Sequence, residues 1–545
     1  MNTPVITPPT ITDDSAAEAV AVTPAGRWSR LKSWGTRRGR RLARPLGWLV
    51  AVAVVTIGVA FRFTSTSQLW LDEAQTVAIS RLPVRQLLDA LRQDGSPPLY
   101  YLLLHWWMKV FGEGTTAVRA FSGVTAVAAL PAMWFVARRT QRQITPPADT
   151  NDNGLGWIAV LLLASSPFAI RYGTENRMYS LVILLVLVGY LAVLRARERP
   201  TLARFAVVSV IAGALLLTHY WGLYLVGAVF LVSVISAWRF HSRTAKHMAI
   251  AVAVGGLAFV PWLPSFRYQM RHTGAPWAGR PNLANLIDAV RAYSGGNSSP
   301  AWVLWLLLLG LFALGIFGAS TPRGTVELNW RGREPGRRIA AAAVGALILA
   351  LVAGIVGNSP VAGRYTAVAF PLLILLAALG AWVAGPRLRW GITALAVVLG
   401  LASGYQVTTL ARTQVPLVAQ ALMAQVRAGD LVVYCPDQLG PSTSRLLPKS
   451  VAQVTFPGFD APDRVNWVDY QEQIDATDTF YFALEAIRRA GSGDVWLITA
   501  PNYITVSGTC SRLQGDLQTL RPHHRLVVGP SARYFEQAGL VRLWA

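Results

Sequence analysis

A chain of 545 residues in which 53% of side chains are hydrophobic and 14% charged, with a mean hydropathy of +0.39, is not a soluble globular protein; it predicts a polytopic membrane protein. The net charge of +23 does not mark a nucleic-acid binder, because Lys and Arg fall mostly in one set of loops and so report topology. Beyond the basic run Arg27–Arg44, clusters occur at Arg138-Arg139-Arg142, Arg195-Arg197-Arg199, Arg239-Arg243-Lys246, Arg331-Arg333-Arg337-Arg338 and Arg387-Arg389.

In chain order, residues 1–26, rich in Pro, Thr and Ala, predict a disordered arm. They do not read as a cleavable signal, since the basic run follows them and the first apolar stretch continues as an anchor. About eleven apolar stretches follow, near 46–63, 117–137, 155–170, 179–195, 203–220, 222–238, 248–264, 300–320, 339–357, 366–384 and 391–410. With the basic loops cytoplasmic, an odd number of spans places residues 411–545 on the other side of the membrane. The expected organisation is a disordered basic cytoplasmic arm (1–45), a transmembrane catalytic domain (46–410) and an extracytoplasmic domain (411–545).

The non-cytoplasmic loops hold the unusual chemistry. The first, roughly 64–116, carries the acidic pair Asp72-Glu73, then Asp94 and the run Ser96-Pro97-Pro98-Leu99-Tyr100-Tyr101. Paired carboxylates at the mouth of a membrane bundle are costly unless they have a job. The two prolines break the preceding helix, and the aromatic stretch with His105, Trp106, Trp107 and Lys109 suits a helix lying in the interface. Later outer segments carry Arg171, Tyr172, Glu175, Arg177 and Tyr179; then His219-Tyr220; then Arg267, Arg271, His272, Arg280 and Arg291; and last Asn358 to Tyr365 with Arg364. Such a face suits a lipid-linked phosphorylated substrate. Arginines grip phosphate through a fixed fork of donors, and a nearby carboxylate takes the proton of an acceptor hydroxyl. No phosphate loop or dinucleotide fingerprint is present, so no ATP, nicotinamide or flavin cofactor is expected.

In the tail, strand-like runs at Leu431–Cys435, Val451–Phe456, Val495–Thr499 and Arg525–Val528 alternate with helix-like stretches near 414–427, 473–490 and 508–520, which predicts a small α/β domain. The loop through Cys435-Pro436-Asp437-Gln438 and Gly440-Pro441-Ser442-Thr443 reads as a turn or an acceptor contact. Cys435 and Cys510 both fall in this domain, where an oxidising compartment permits a disulfide; two buried thiols are the alternative.

Taken together, Leu71-Asp72-Glu73, Asp94-Gly95-Ser96-Pro97-Pro98-Leu99-Tyr100-Tyr101, Glu175-Asn176-Arg177-Met178-Tyr179 and Gly363-Arg364-Tyr365 resemble the GT-C glycosyltransferases, over about residues 46–410. The similarity is to the branch containing protein O-mannosyltransferases and the aminoarabinose transferase of lipid A. The fold expected is a polytopic all-α membrane bundle of GT-C type, with the roughly eleven transmembrane helices read above, followed by the C-terminal extracytoplasmic α/β domain, in a bacterial plasma membrane. It implies an inverting enzyme that moves a sugar from a polyprenyl-phosphate donor to a cell-envelope glycan or glycolipid. Asp72 takes the role of catalytic base and Glu73 supports it. Arg364, Arg177 and Tyr365 bind the donor phosphate. Asp94, Tyr100, Tyr101, His105, Glu175 and His219 contact substrate, with Trp70 beside the sugar.

Several of these residues have a structural alternative. Asp94 holds acceptor or a divalent cation, or caps the proline turn; Glu175 and Arg177 touch substrate or pair with each other; Arg364 grips phosphate or snorkels. His105 and His219 lack metal-ligand spacing, so no metal set is assigned. The Ala- and Arg-rich composition with 20 Trp points to a high-GC bacterium such as an actinobacterium, where mannose is the expected sugar and arabinose the alternative. A transporter or flippase for a polyprenyl-linked lipid would share the bundle, but the paired interrupted helices of inverted halves are not visible. A noncatalytic scaffold does not account for ionisable residues gathered at one mouth.

Overall fold

The apolar stretches fold as helices. The computed structural model describes residues 46–144, 153–273, 281–320, 325–332, 334–357, 360–501, 503, 506 and 508–545. The basic arm, Arg280, Arg333, Asn358 and the side chain of Arg387 lie outside the described residues. The chain forms two units, 1–53 and 54–545. Residues 46–53 of the first begin helix α1 (Leu46–Phe61). The rest of α1 and every other element belong to the second.

Three short helices follow α1: α2 (Leu71–Ser80), α3 (Val84–Asp94) and α4 (Leu99–Phe111). Prolines 83, 97 and 98 set the breaks between them, since a proline cannot donate to a helix ladder. Gly95 ends α3 at a φ of 84°, a left-handed position that favours glycine. The bundle continues with α5 (Thr115–Gln141), α6 (Gly154–Ser165), α7 (Pro167–Gly173), α8 (Tyr179–Glu198), α9 (Leu202–Leu216), α10 (Gly222–Phe240), α11 (Arg243–Leu257), α12 (Leu263–His272), α13 (Leu283–Arg291), α14 (Ser299–Phe317), a hairpin β1 (Gly318–Ser320) and β2 (Val326–Leu328), α15 (Gly336–Gly357), α16 (Phe370–Val383) and α17 (Gly385–Thr409).

Seven of these, with α11 and α12 counted as one, are long and apolar enough to cross a bilayer; α6 and α7, bent by 58°, make an eighth. The protein is thus a polytopic, mostly α membrane protein with seven or eight candidate spans among the described residues, where eleven were expected. The remaining expected spans are the shorter apolar helices α1, α9 and α16. The 14 residues of α16 reach about 21 Å, short of a hydrocarbon core of roughly 30 Å. The short span expected over 155–170 is this bent pair. Ser166 takes an extended conformation before Pro167 and its hydroxyl accepts from the Ala169 amide, so a new helix starts there. Close helix approach depends on small residues: a Cβ at Gly315 would lie 2.2 Å from the Leu376 carbonyl oxygen, and one at Gly380 2.0 Å from that of Leu311.

The tail starts with α18 (Val415–Met423) and builds a five-stranded sheet from β3 (Leu431–Cys435), β4 (Ala452–Thr455), β5 (Val495–Thr499), β6 (His523–Val528) and β7 (Gly539–Trp544), in the order β4-β3-β5-β7-β6. β3 pairs parallel with β4 and β5, while β7 runs antiparallel to β5 and β6. Helices α19 (Gly440–Ser444), α20 (Tyr470–Ala476), α21 (Thr479–Ala490) and α22 (Thr509–Leu520) complete the domain. Alternate residues of β3 enter opposite cores, Val433 with Leu497 on one face and Val432 with Trp496 on the other. Cys435, ending β3, is bonded to Cys510 on α22, with Cα atoms 5.5 Å apart.

This domain rests on the acidic pair. Trp70 and Leu71 are buried in its core, and α19 packs against α2. Gln75 and Val465 exchange two hydrogen bonds of 3.0 and 2.8 Å.

Candidate active site

The two carboxylates of the acidic pair leave the first turn of α2 in different directions. Asp72 is partly open, its side chain 19% exposed, and its Oδ2 lies 3.1 Å from Nη1 of Arg364. Arg364 comes from the 3-10 turn Gly363–Val368 and also lies over the Tyr365 ring, 5.4 Å from its centroid. Two segments remote in sequence thus meet at one carboxylate.

Glu73 is fully enclosed. Arg119 of α5 grips it with both arms of its fork, Nε to Oε1 at 2.7 Å and Nη2 to Oε2 at 2.6 Å, and the Asn176 amide donates to Oε1 at 2.8 Å. Burial alone would raise the Glu73 pKa, but Arg119, Arg412 and the Asn176 amide outweigh it and hold it below the usual carboxylate range. Both oxygens already accept charged or amide donors, so Glu73 fixes α2 and has no oxygen facing a substrate.

The same separation runs through the other expected residues. Glu175 and Arg177 do not pair: Glu175 lies 3.6 Å from both Arg171 and Arg412 and is buried. Arg177 donates through Nη1 to the Asp72 carbonyl oxygen at 3.3 Å, to Thr76 Oγ1 at 2.7 Å and to the Tyr101 hydroxyl at 3.2 Å. The Tyr101 hydroxyl lies 3.1 Å from Asp94 Oδ2, and Gln75 Nε2 donates to Asp94 Oδ1 at 3.0 Å. Asp94 is therefore tied to α2 and α4 as a brace. Tyr100 is buried, with its hydroxyl on Asn176 Oδ1 and Ser122 Oγ, both at 3.0 Å. His105 is buried with Nδ1 2.8 Å from the Ser80 carbonyl oxygen, fastening α4 to the end of α2. Trp70 packs edge-on against Phe535 of the tail. Of the residues expected to contact substrate, Tyr100 and His105 brace neighbouring elements through these hydrogen bonds, Trp70 packs into the core of the tail, and Glu175 is buried between Arg171 and Arg412.

His219 stays with the arginines. Its ring lies 5.3 Å from that of Tyr365 and 5.7 Å from that of Tyr179, and its Nδ1 accepts the Trp221 amide at 3.1 Å. Burial, then Arg177 and Arg364, lower its pKa to about 3, so it is a neutral imidazole with its proton on Nε2. Among the described residues no group of three His, Cys, Asp or Glu side chains converges on a metal-sized site.

Sequence reasoning missed three buried charges around the acidic pair and its contact with the tail. Arg119 is a lone cation near the outer end of an apolar helix, where basic residues are least expected, and that displacement was its signal. Arg412, only 1% exposed, holds Thr174 through Nη2–Oγ1 at 2.6 Å and faces Glu175. Glu536, from the loop before β7, accepts the Leu71 amide at 3.0 Å and the Ser442 hydroxyl at 3.2 Å. Burial raises it to about 7, with Asp72 adding to the shift. Nothing local in the sequence marks Arg412 or Glu536.

Residues 95–264 match the family model described as dolichyl-phosphate-mannose-protein mannosyltransferase, which begins at the Asp94 turn and ends within the fused α11–α12 span. No curated protein sequence matches the chain. Among solved structures the chain is similar to ArnT from Cupriavidus metallidurans in the apo state, at 15% identity over 92% of this chain and 98% of that one, with a TM-score of 0.47. It is also similar to the arabinofuranosyltransferase AftD from Mycobacteria, at 14% identity over 91% of this chain and 40% of the other, TM-score 0.49. The Archaeoglobus fulgidus oligosaccharyltransferase complex with Zn and sulfate matches at 11% identity over 82% of this chain and 67% of that one, TM-score 0.48. At these values the roles of the residues rest on the geometry of this chain itself.

Proposed function

We propose that this protein is a membrane glycosyltransferase of the GT-C class, which transfers a sugar from a polyprenyl-phosphate donor to a cell-envelope glycan or glycolipid. The observation that carries the reading is the partly open Asp72 carboxylate 3.1 Å from Arg364, on a helix whose neighbouring Glu73 is locked in place by Arg119. A base needs an oxygen that can reach substrate, and a leaving phosphate needs a fixed cation; this pair supplies both.

In the proposed reaction Asp72 takes the proton of the acceptor hydroxyl. The acceptor oxygen bonds to the anomeric carbon from the face opposite the phosphate, the carbon–oxygen bond to phosphate breaks, and the electron pair leaves on polyprenyl monophosphate. The configuration inverts. Arg364 meets the charge growing on the phosphate, and Arg177, whose Nη1 is on the Asp72 carbonyl, holds the first turn of α2 in register. His219 and Tyr365 form the wall beside Arg364, His219 as a neutral donor. The donor lipid enters from the bilayer between helices. The positive-inside pattern supports a plasma-membrane orientation with the amino terminus cytoplasmic and the site and the 411–545 domain outside.

Arabinose and other pentoses stand at least level with mannose as the sugar moved. The test is sugar release by the purified full chain from a panel of polyprenyl-monophosphate sugars, intact and as Asp72→Asn. Turnover of one or more donors that is lost in Asp72→Asn supports the reading; no turnover of any donor, or undiminished turnover in the variant, overturns it.

A further inference from the structure

The proposed site leaves the opposite end of the bundle unexplained. A groove of about 690 Å³ runs between α8, α9, α10, α11 and α15, lined by apolar side chains at its deep end, Leu215, Leu225 and Leu372 among them. Its mouth is basic: Arg197, Arg337 and Arg338 line it with a single carboxylate, Glu334. Glu334 is spent on Arg337 at 3.1 Å and Arg338 at 2.6 Å. Arg197 has no ion-pair or hydrogen-bond partner among the described residues. One α-helical heptad back on the same face of α8, Tyr190 also lines the groove, and its hydroxyl has no hydrogen-bond partner among the described residues.

We infer that this groove binds an anionic glycerophospholipid of the membrane leaflet opposite Asp72. The phosphate sits between Arg197 and Arg338, the Tyr190 hydroxyl donates to an ester carbonyl, and one acyl chain fills the apolar channel. The dimensions agree. From Arg197 to Val186, both on the lining, α8 rises about 17 Å, close to the roughly 15 Å that one leaflet contributes to a hydrocarbon core. The phosphate of the donor belongs beside Arg364, and Tyr179, which rings His219 there, is separated from Arg197 by 18 residues of α8, about 27 Å. The inference does not rest on the transfer reaction.

The test is native mass spectrometry of the full chain in detergent with equal amounts of dioleoylphosphatidylglycerol and dioleoylphosphatidylcholine. Wild type is expected to retain the anionic lipid about tenfold over the zwitterionic one, the preference of one good charge-assisted contact. Arg197→Gln with Arg338→Gln removes the preference, Tyr190→Phe weakens it, and Val229→Trp, which fills the channel, lowers retention of both lipids. Tyr190→Phe removes one oxygen and keeps the ring, so it stays informative if the double variant does not fold. Equal retention of the two lipids by wild type, or an unchanged preference in Tyr190→Phe together with any folded double variant, overturns the inference. So does displacement of the anionic lipid by a polyprenyl phosphate in a manner that Val229→Trp abolishes, which would assign the groove to the donor tail.

Discussion

Asp72 and Glu73 are adjacent in sequence and opposite in environment. Removing one partner of a buried, bidentate pair leaves an uncompensated charge, so Glu73→Gln or Arg119→Met should destabilise the protein by about 3–5 kcal/mol. Thermal melting in detergent checks this, with residual activity falling in proportion to the folded fraction. Asp72→Asn should leave the melting temperature nearly unchanged. At Arg364 the expectation is kinetic: Arg364→Gln should lower kcat/KM by roughly 10–150-fold, the worth of a charge-assisted hydrogen bond of about 1.5–3 kcal/mol, and Arg364→Lys should recover part of it. The sequence showed that a carboxylate pair stands at a membrane mouth. It could not show which of the two is open, because the answer lies in Arg119, 46 residues away, and in Arg412, at the start of the tail.

At the scale of elements, breaks were legible where chemistry is local. The Pro97-Pro98 pair marked the break before α4, and short continuous apolar runs marked β3 and β5. The third stretch is short enough to allow a re-entrant segment, but the position of its bend, at Ser166 before Pro167, is set by the local Ser-Pro chemistry. β7 was missed as well: Gly539–Trp544 follows a turn-rich segment, and its identity comes from pairing with both β5 and β6. Two elements permit direct tests. Gly380→Val would place a Cβ 2.0 Å from a backbone oxygen of α14, so a marked fall in melting temperature is expected, whereas Ala at the lipid-facing Val398 should be nearly silent. Joining Cys435 and Cys510, 75 residues apart, restricts the unfolded tail; Cys435→Ser with Cys510→Ser should cost about 2–4 kcal/mol, read by chemical denaturation.

For the whole molecule, the extracytoplasmic placement expected of the tail turns on its contact with α2. Glu536 caps the Leu71 amide and is raised to about 7, and Asp437, buried against Tyr470, is likewise raised to about 7. A raised carboxyl pKa means that the folded state holds a proton the unfolded state has released. The stability contributed by each neutral carboxyl is thus fully present below the unfolded value near 4, declines as pH rises toward 7, and is gone above it. Wild type should melt at a higher temperature near pH 5 than near pH 8, and Glu536→Gln should flatten that slope; an equal slope in the variant would remove Glu536 from this account. Charge distribution and hydropathy made the bundle, its basic face and the α/β tail readable, whereas the seating of the tail on α2 depends on contacts between distant segments that no local pattern encodes.

Whether Asp72 is the base is decided by single-turnover sugar transfer at saturating donor and acceptor, with donor affinity measured separately. Asp72→Asn should slow the transfer step by roughly 100–10,000-fold while the protein stays folded and binds donor within a few-fold of wild type. A transfer rate in Asp72→Asn close to that of wild type would contradict this role.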